Sequence, residues 1–562
     1  MKEGKAVVVV IYACLFLLRS INVLLIKTQF DPDEHWQTLE PAYCHAFKGT
    51  GTTGSSSCAL TWEWTRRAIT SASLWEKSRH GPLRSHLAIL PTYVFYVVIK
   101  LLKIDTPFLV SRGPMLVHAA FVAAPTDYLV WYLADNPSSS RWSLFCSLTS
   151  WFQAYTLVRT YSNSIETVLL LGGMALLRSP NKTTHSLAYV LGGMSVAIRF
   201  TSLAAWIPLG VLFAWKQSTT SWKERLVYLV NPCATCGMLG FGISLLVDRC
   251  FYGFWTIPLL ANLQFNVVEG MGALYGSHPF HWYVSAGLPA ITGLMLPILI
   301  FGIPKTRNNP LWAVILPYIL LHSLSAHKEF RFLLPILPLL CIISGTTLAE
   351  EMNWIVYPKR KLIRGLLITT FVVANLIAFL YLGLIHQRAP MDVNQAIIRR
   401  IQQRGHTEVS VHYLMDCHST PLYSHLHVKG VNVKAWHLDC SPSCRSSETQ
   451  ICESALFSRD PLAFVRDTYG EVRPQLEQGD EHVCKNSIPV PNFVAMFASD
   501  AIKVEPRLVS MGLAETDRFF HSIVGGTVFG VEIGGADAQT RRIASWLLFH
   551  VTEIVLYERV VL

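Results

Sequence analysis

Phe30-Asp31-Pro32-Asp33-Glu34-His35-Trp36-Gln37-Thr38-Leu39-Glu40 follows directly on an apolar run from Ala6 to Ile26. That run is long enough to cross a bilayer. Pro32 keeps the apolar helix from continuing through the three acids at 31, 33 and 34. Carboxylates at the mouth of a span are costly unless they face water, a cation or a substrate. One reading makes them an acidic N-cap for an interfacial helix starting near His35. The other makes them a site, and the rest of the chain bears on the choice.

Of the 562 residues, 51% are hydrophobic and 15% are charged. Soluble domains carry about 25% charge, so the chain is an integral membrane protein. The net charge of +10 is spread over short connections. It therefore reads as topology-setting charge, and no nucleic-acid surface is expected. Sixteen Trp and 20 Tyr suit many membrane interfaces. The first segment continues through Arg19 to Lys27 without a small-residue cleavage site, which predicts a retained span rather than a signal peptide.

Further spans are expected at about 109–133, 142–158, 165–179, 184–198, 203–216, 225–248, 285–303, 310–325, 332–349 and 362–386, about eleven with the first. The run Leu87–Leu102 is short and carries Pro91 and Lys100, so it is read as interfacial. A competing parse makes it a span and fuses 184–216 into one helix. Basic residues at 216–225, 305–307 and 359–364 fix those loops as cytosolic. The expected organisation is a multi-spanning membrane domain over 1–386, with a luminal loop at 27–108, and a luminal α/β domain over 387–562. Alternation in Val409-Ser410-Val411-His412-Tyr413-Leu414 supports strands in that tail. Of thirteen cysteines, Cys44, Cys58, Cys417, Cys440, Cys444, Cys452 and Cys484 would face an oxidising lumen and pair with one left over.

Under this topology the polar features converge on one face. Opposite the acids stand Arg159-Thr160-Tyr161-Ser162-Asn163-Ser164-Ile165-Glu166-Thr167 and Arg199-Phe200-Thr201. The stretches Tyr275–Tyr283 and Ala326-His327-Lys328-Glu329-Phe330-Arg331-Phe332 join them. Singly, each arginine could snorkel at a span end and each histidine could be structural. Together they suit a substrate with a phosphate in the membrane plane and a hydroxyl to be deprotonated. There is no Gly-rich phosphate loop followed by Lys-Ser or Lys-Thr. His278 and His281 lack companion zinc ligands at the usual spacing. In the Cys- and His-rich tail segment from Cys417 to Cys444, disulfides are favoured over a structural metal.

Phe30–Glu40, Arg159–Thr167 and His327–Phe332 resemble the signature elements of the family 22 glycosyltransferases, multi-spanning enzymes of the GT-C fold. Asp248–Gly253, Phe265–Val267, Tyr275–Tyr283 and Cys417–Pro421 resemble the branch that adds the third mannose to the glycosylphosphatidylinositol (GPI) precursor. The match runs from about residue 19 to 440. It implies an all-α polytopic GT-C protein in the endoplasmic reticulum membrane with a luminal active site. The donor would be dolichyl-phosphate-mannose and the acceptor the GPI precursor glycolipid.

The resemblance further implies an inverting transfer, which needs one carboxylate base beside the attacking hydroxyl. Asp33 is the expected base, then Glu34, with Asp31 behind them. His327, Lys328 and Arg331 are expected on the donor phosphate, with Arg159 and Arg199 as helpers and Glu329 orienting Lys328 or Arg331. Glu166, His278, His281 and Trp62 are acceptor-side candidates. No metal or cofactor is expected, because cations can stabilise the leaving phosphate. Two other readings stay open: a mannosyltransferase of lipid-linked oligosaccharide assembly for N-glycosylation, and a polytopic lipid or sugar transporter.

Overall fold

The computed structural model describes residues 5–48, 58, 60–64, 73–216, 221–354, 361–446, 451–469, 488–525 and 549–560. The Gly/Ser loop at 49–57 and Cys484 lie outside them. Five described helices are long and apolar enough to cross a membrane: Ala6–Leu25, Pro107–Leu133, Trp222–Tyr252, Phe330–Glu351 and Leu362–Leu384. A sixth candidate is the pair Tyr283–Thr292 and Met295–Thr306, bent by 113°.

About eleven spans are expected from the sequence, and where the described helices fall short of a full crossing or stay separate the breaks have local causes. Ser150 adopts extended backbone and caps Trp151–Thr156, accepting from Gln153 N. Arg199, at φ −145° and ψ 113°, divides Lys182–Ile198 from the next apolar helix, so 184–216 is not one rod. Gly293 bends the 283–306 segment at φ 51°, a conformation that favours glycine. Leu90–Leu101 is a 12-residue helix, too short to cross.

Phe330–Glu351 is the central strut. Its most apolar window is 89% buried, against 22% for Ala6–Leu25 and 17% for Leu362–Leu384. Leu333, Leu334, Ile336, Leu337 and Leu340 pack there with Phe152, Tyr155, Leu170 and Tyr318. Gly345 lets the strut cross Pro137–Thr149 closely, since a Cβ there would lie 2.3 Å from Ser143 N. Gly345→Ala is expected to cost about 1–3 kcal/mol by overpacking, read as a lower thermal midpoint in detergent. Arg19 and Asp127 form a fully buried fork, with both N–O distances 2.7 Å, and Ser147 donates to the same carboxylate. Pairing is what makes such charges tolerable between spans.

Among the described residues the tail forms a five-stranded mixed sheet. β1 (Glu408–Leu414) runs parallel to β2 (Asn432–His437) and β3 (Phe493–Phe497). β5 (Phe549–Arg559) is antiparallel to β3 and to β4 (Leu513–Gly525). The alternation at 409–414 lies on β1. The hydrophobic core crosses the expected boundary at 386/387: Trp36, Tyr43, Ile89 and Tyr96 share one cluster with Val393, Val409, Val411, Leu422 and Ile554. The acidic element and the tail are thus packed as one body of apolar contacts.

Candidate active site

The acids open a helical stretch that runs from Asp33 to Lys48 with π-helical turns at His35–Leu39 and Cys44–Lys48. Asp31 Oδ1 accepts from Asp33 N at 2.9 Å, and Pro32 O accepts from the backbone of His35 and Trp36. Asp31 thus closes an Asx turn just ahead of the helix. The next turns are held by the tail. Trp36 Nε1 donates to Thr420 O at 3.1 Å, and buried Glu40 accepts from Leu422 N at 2.9 Å and Ser424 Oγ at 2.6 Å.

Arg331, at the head of the central strut, is the hub of the site. Its guanidinium pairs with Asp33 and with Glu329, and its Nε lies 3.3 Å from Asp31. The arginine side chain is 3% exposed, whereas Asp31, Asp33 and Glu329 are 18%, 26% and 23% exposed, so the carboxylates form the open side. His327 Nε2 contacts Glu329 Oε1 at 2.7 Å. Burial raises the Asp31 carboxyl well above the usual range, and neighbouring Glu329 and Asp33 add to this against Arg331. Burial would also raise Glu329, but Arg331 and His327 outweigh it and hold that carboxyl well below. For His327 burial works against the charged form, and Glu329 more than offsets it, leaving the imidazole raised.

A raised histidine stabilises the fold fully below its ordinary pKa and ceases to as pH climbs through the raised value. His327→Gln is accordingly expected to lower the thermal midpoint at mildly acidic pH and to match wild type at alkaline pH. A pH series of melts on both proteins checks this, and a constant difference at every pH would contradict it.

Glu34 and Arg159 sit elsewhere. Glu34 is 1% exposed and pairs with Arg159, itself 1% exposed. Arg159 also donates to Thr28 O at 2.9 Å and Tyr155 O at 3.1 Å. Thr160 Oγ1 donates to Glu34 O, and Thr38 Oγ1 donates to Thr160 O. This pair fastens the acidic helix to the 155–160 loop. Arg199 Nε lies 3.2 Å from Glu166, with the guanidinium over Phe332. Lys328 gives its protons to the backbone carbonyls of His278, at 3.0 Å, and Ser325. It thereby ties the 275–283 stretch to the Arg331 element. His278 stacks on Trp282, and His281 Nδ1 meets Ser285 Oγ at 3.0 Å; both histidines are exposed. Trp62 packs between Phe265 and Tyr275.

Three participants were missed in the sequence, the pair Glu63 and Arg84 and, separately, Tyr161. Arg84 holds Glu63 through contacts of 2.6 and 3.0 Å, and the Glu63 carboxyl, raised mainly by burial, also feels Asp33 and Arg331. Their signal was the acid inside Thr61-Trp62-Glu63-Trp64 and the Arg84 that follows. Tyr161 is the third: its buried hydroxyl has no hydrogen-bond partner among the described residues, and its ring faces Arg331. Three disulfides form among the described residues, Cys44–Cys58, Cys417–Cys440 and Cys444–Cys452. Among the described residues, Cys417, His418 and Cys440 are the one group whose ligand atoms could share a metal, and two of them are in a disulfide.

The signature of the Alg9-like mannosyltransferase family matches residues 10–427. The chain belongs to that family. This mannosyltransferase is 31% identical to human GPI alpha-1,2-mannosyltransferase 3 over 524 residues, which is 91% of this chain and 84% of that protein. It is 31% identical to mannosyltransferase APTG1 of Arabidopsis thaliana over 90% of this chain and 87% of that protein. GPI mannosyltransferase 3 of Yarrowia lipolytica is 30% identical over 90% of this chain and 92% of that protein. In structure it is similar to ArnT of Cupriavidus metallidurans bound to undecaprenyl phosphate, with TM-score 0.52 and 10% identity over 99% of this chain and 98% of that one. The fold is thus the GT-C glycosyltransferase fold in a multi-pass membrane protein, and the enzyme reading displaces transport.

Proposed function

We propose that this mannosyltransferase moves mannose from dolichyl-phosphate-mannose to the 2-hydroxyl of the second mannose of a GPI precursor, as GPI mannosyltransferase III, at the luminal face of the endoplasmic reticulum membrane. The observation that carries the mechanism is the division of adjacent acids: Asp33 faces the open cluster, and Glu34 is sealed against Arg159. Asp33 takes the proton of the attacking hydroxyl as its oxygen bonds to the anomeric carbon. The bond from that carbon to the phosphate oxygen breaks, and its electrons leave with dolichyl phosphate. Phosphate needs no proton to leave, so cations stabilise it and no metal is invoked. Arg331 is shared by three carboxylates and is the cation a phosphate would compete for, with Arg199 and Arg84 nearby. The unpartnered Tyr161 hydroxyl is a further donor for a substrate oxygen.

The test uses cells lacking this activity, labelled with radioactive mannose and probed for both GPI precursors and dolichol-linked oligosaccharide. GPI precursors should stall at two mannoses and gain the third when the chain is restored. Truncated dolichol-linked oligosaccharide with normal GPI precursors would instead assign the acceptor to N-glycosylation.

A further inference from the structure

A cavity lies between the far end of the acidic helix and the tail. It measures about 430 Å³ and is lined by Tyr43, Phe47, Lys48, Asp105, Tyr423 and the 426–433 segment. Tyr43 stacks on Phe47 and lies parallel to Tyr423, giving the cavity an aromatic wall of the kind that accepts sugar and cyclitol rings. Lys48 Nζ sits 3.5 Å above the Tyr423 ring and donates to Val433 O at 2.8 Å. An ammonium has three protons to give, and those contacts include no carboxylate. Burial, only partly opposed by the charge of Glu40, pulls this amine down to about 8, so an anion beside it would be welcome. Lys429 stands at the mouth, 63% exposed and 3.6 Å from Asp105. Asp105 is also engaged by His427, whose other ring nitrogen meets Tyr43 Oη. Among the lining residues two lysines face one acid, Asp105, while Glu40 acts on Lys48 from behind the wall.

We infer that this cavity binds a phosphate-bearing headgroup, and, resting on the acceptor proposed above, that it holds the phosphoinositol end of the glycolipid while the terminal mannose meets Asp33. The helical stretch from Asp33 to Lys48 is at most about 22 Å long at 1.5 Å per residue, a separation a short glycan can bridge. Lys48 and Lys429 set acceptor specificity without touching the reacting atoms.

Two assays on the purified full chain test this. In the first, Lys48→Met with Lys429→Gln is compared with wild type on a phosphate-bearing dimannosyl glycolipid and on the same glycan without phosphate. KM for the phosphate-bearing acceptor should rise about tenfold with kcat unchanged. KM for the phosphate-free glycan should not move, and Lys48→Arg should restore most of the loss. No change, or an equal rise for both acceptors, overturns the inference. In the second, myo-inositol 1-phosphate is titrated calorimetrically, which reads the cavity even if wild type uses neither acceptor. Binding lost in the double variant supports the site, and equal binding by both proteins, or none by wild type, overturns it. Displacement by inorganic phosphate would mean that phosphate alone is read, and its failure to displace that the headgroup is.

Discussion

Asp33→Asn is expected to lower kcat for mannose transfer by about a thousandfold while leaving the folded protein intact. The general base in a transfer of this kind contributes about 10²–10⁴ in rate. Asparagine keeps the shape of the side chain and an oxygen for Arg331, so the ion cluster loses one charge but no atoms. Two carboxylates, Asp31 and Glu329, remain on that guanidinium. The expected result in membranes from cells lacking the activity is a donor KM within a few-fold of wild type and almost no product. Activity within tenfold of wild type would move the base to Asp31 or Glu329, the other open carboxylates of the cluster.

Glu34→Gln should fail in a different observable. Its partner Arg159 would be left as a buried charge facing an amide, and breaking a buried pair from one side costs about 3–5 kcal/mol. That is a large share of a typical stability of about 5–15 kcal/mol. The variant is expected to accumulate poorly and to melt early in detergent. Whatever folds should retain a kcat close to wild type. Replacing both partners, Glu34→Gln with Arg159→Met, should recover most of the stability, because no uncompensated charge remains. A Glu34→Gln protein of normal stability with kcat reduced a thousandfold would exchange the roles of the two acids.

Much of the site was legible because its parts are short and chemically concentrated. The elements at 30–40, 159–167 and 327–332 stand out as charge at the ends of apolar runs, and these elements do meet: Asp33 with Arg331, Glu34 with Arg159. The tail sheet was legible through the alternation at 409–414. The break at Arg199 was legible too, whereas those at Ser150 and Gly293 were not, because hydropathy averages over the points where the backbone turns. Glu63 and Arg84 were hidden for another reason: a single acid in a tryptophan-rich loop has no pattern until folding places it beside Asp33.

The sequence by itself determined that this is a membrane protein, that its chemistry gathers on one face, and that an acidic element after the first span leads it. It also determined the family, through residues that recur in fixed local order. Only the tertiary structure decided which acid is open. Consecutive helical residues point about 100° apart and do not face one another, so Asp33 and Glu34, neighbours in sequence, look toward different partners. Those partners come from 298 and 125 residues away. No local pattern encodes which distant arginine will arrive on which side of the helix, because packing of the spans sets it.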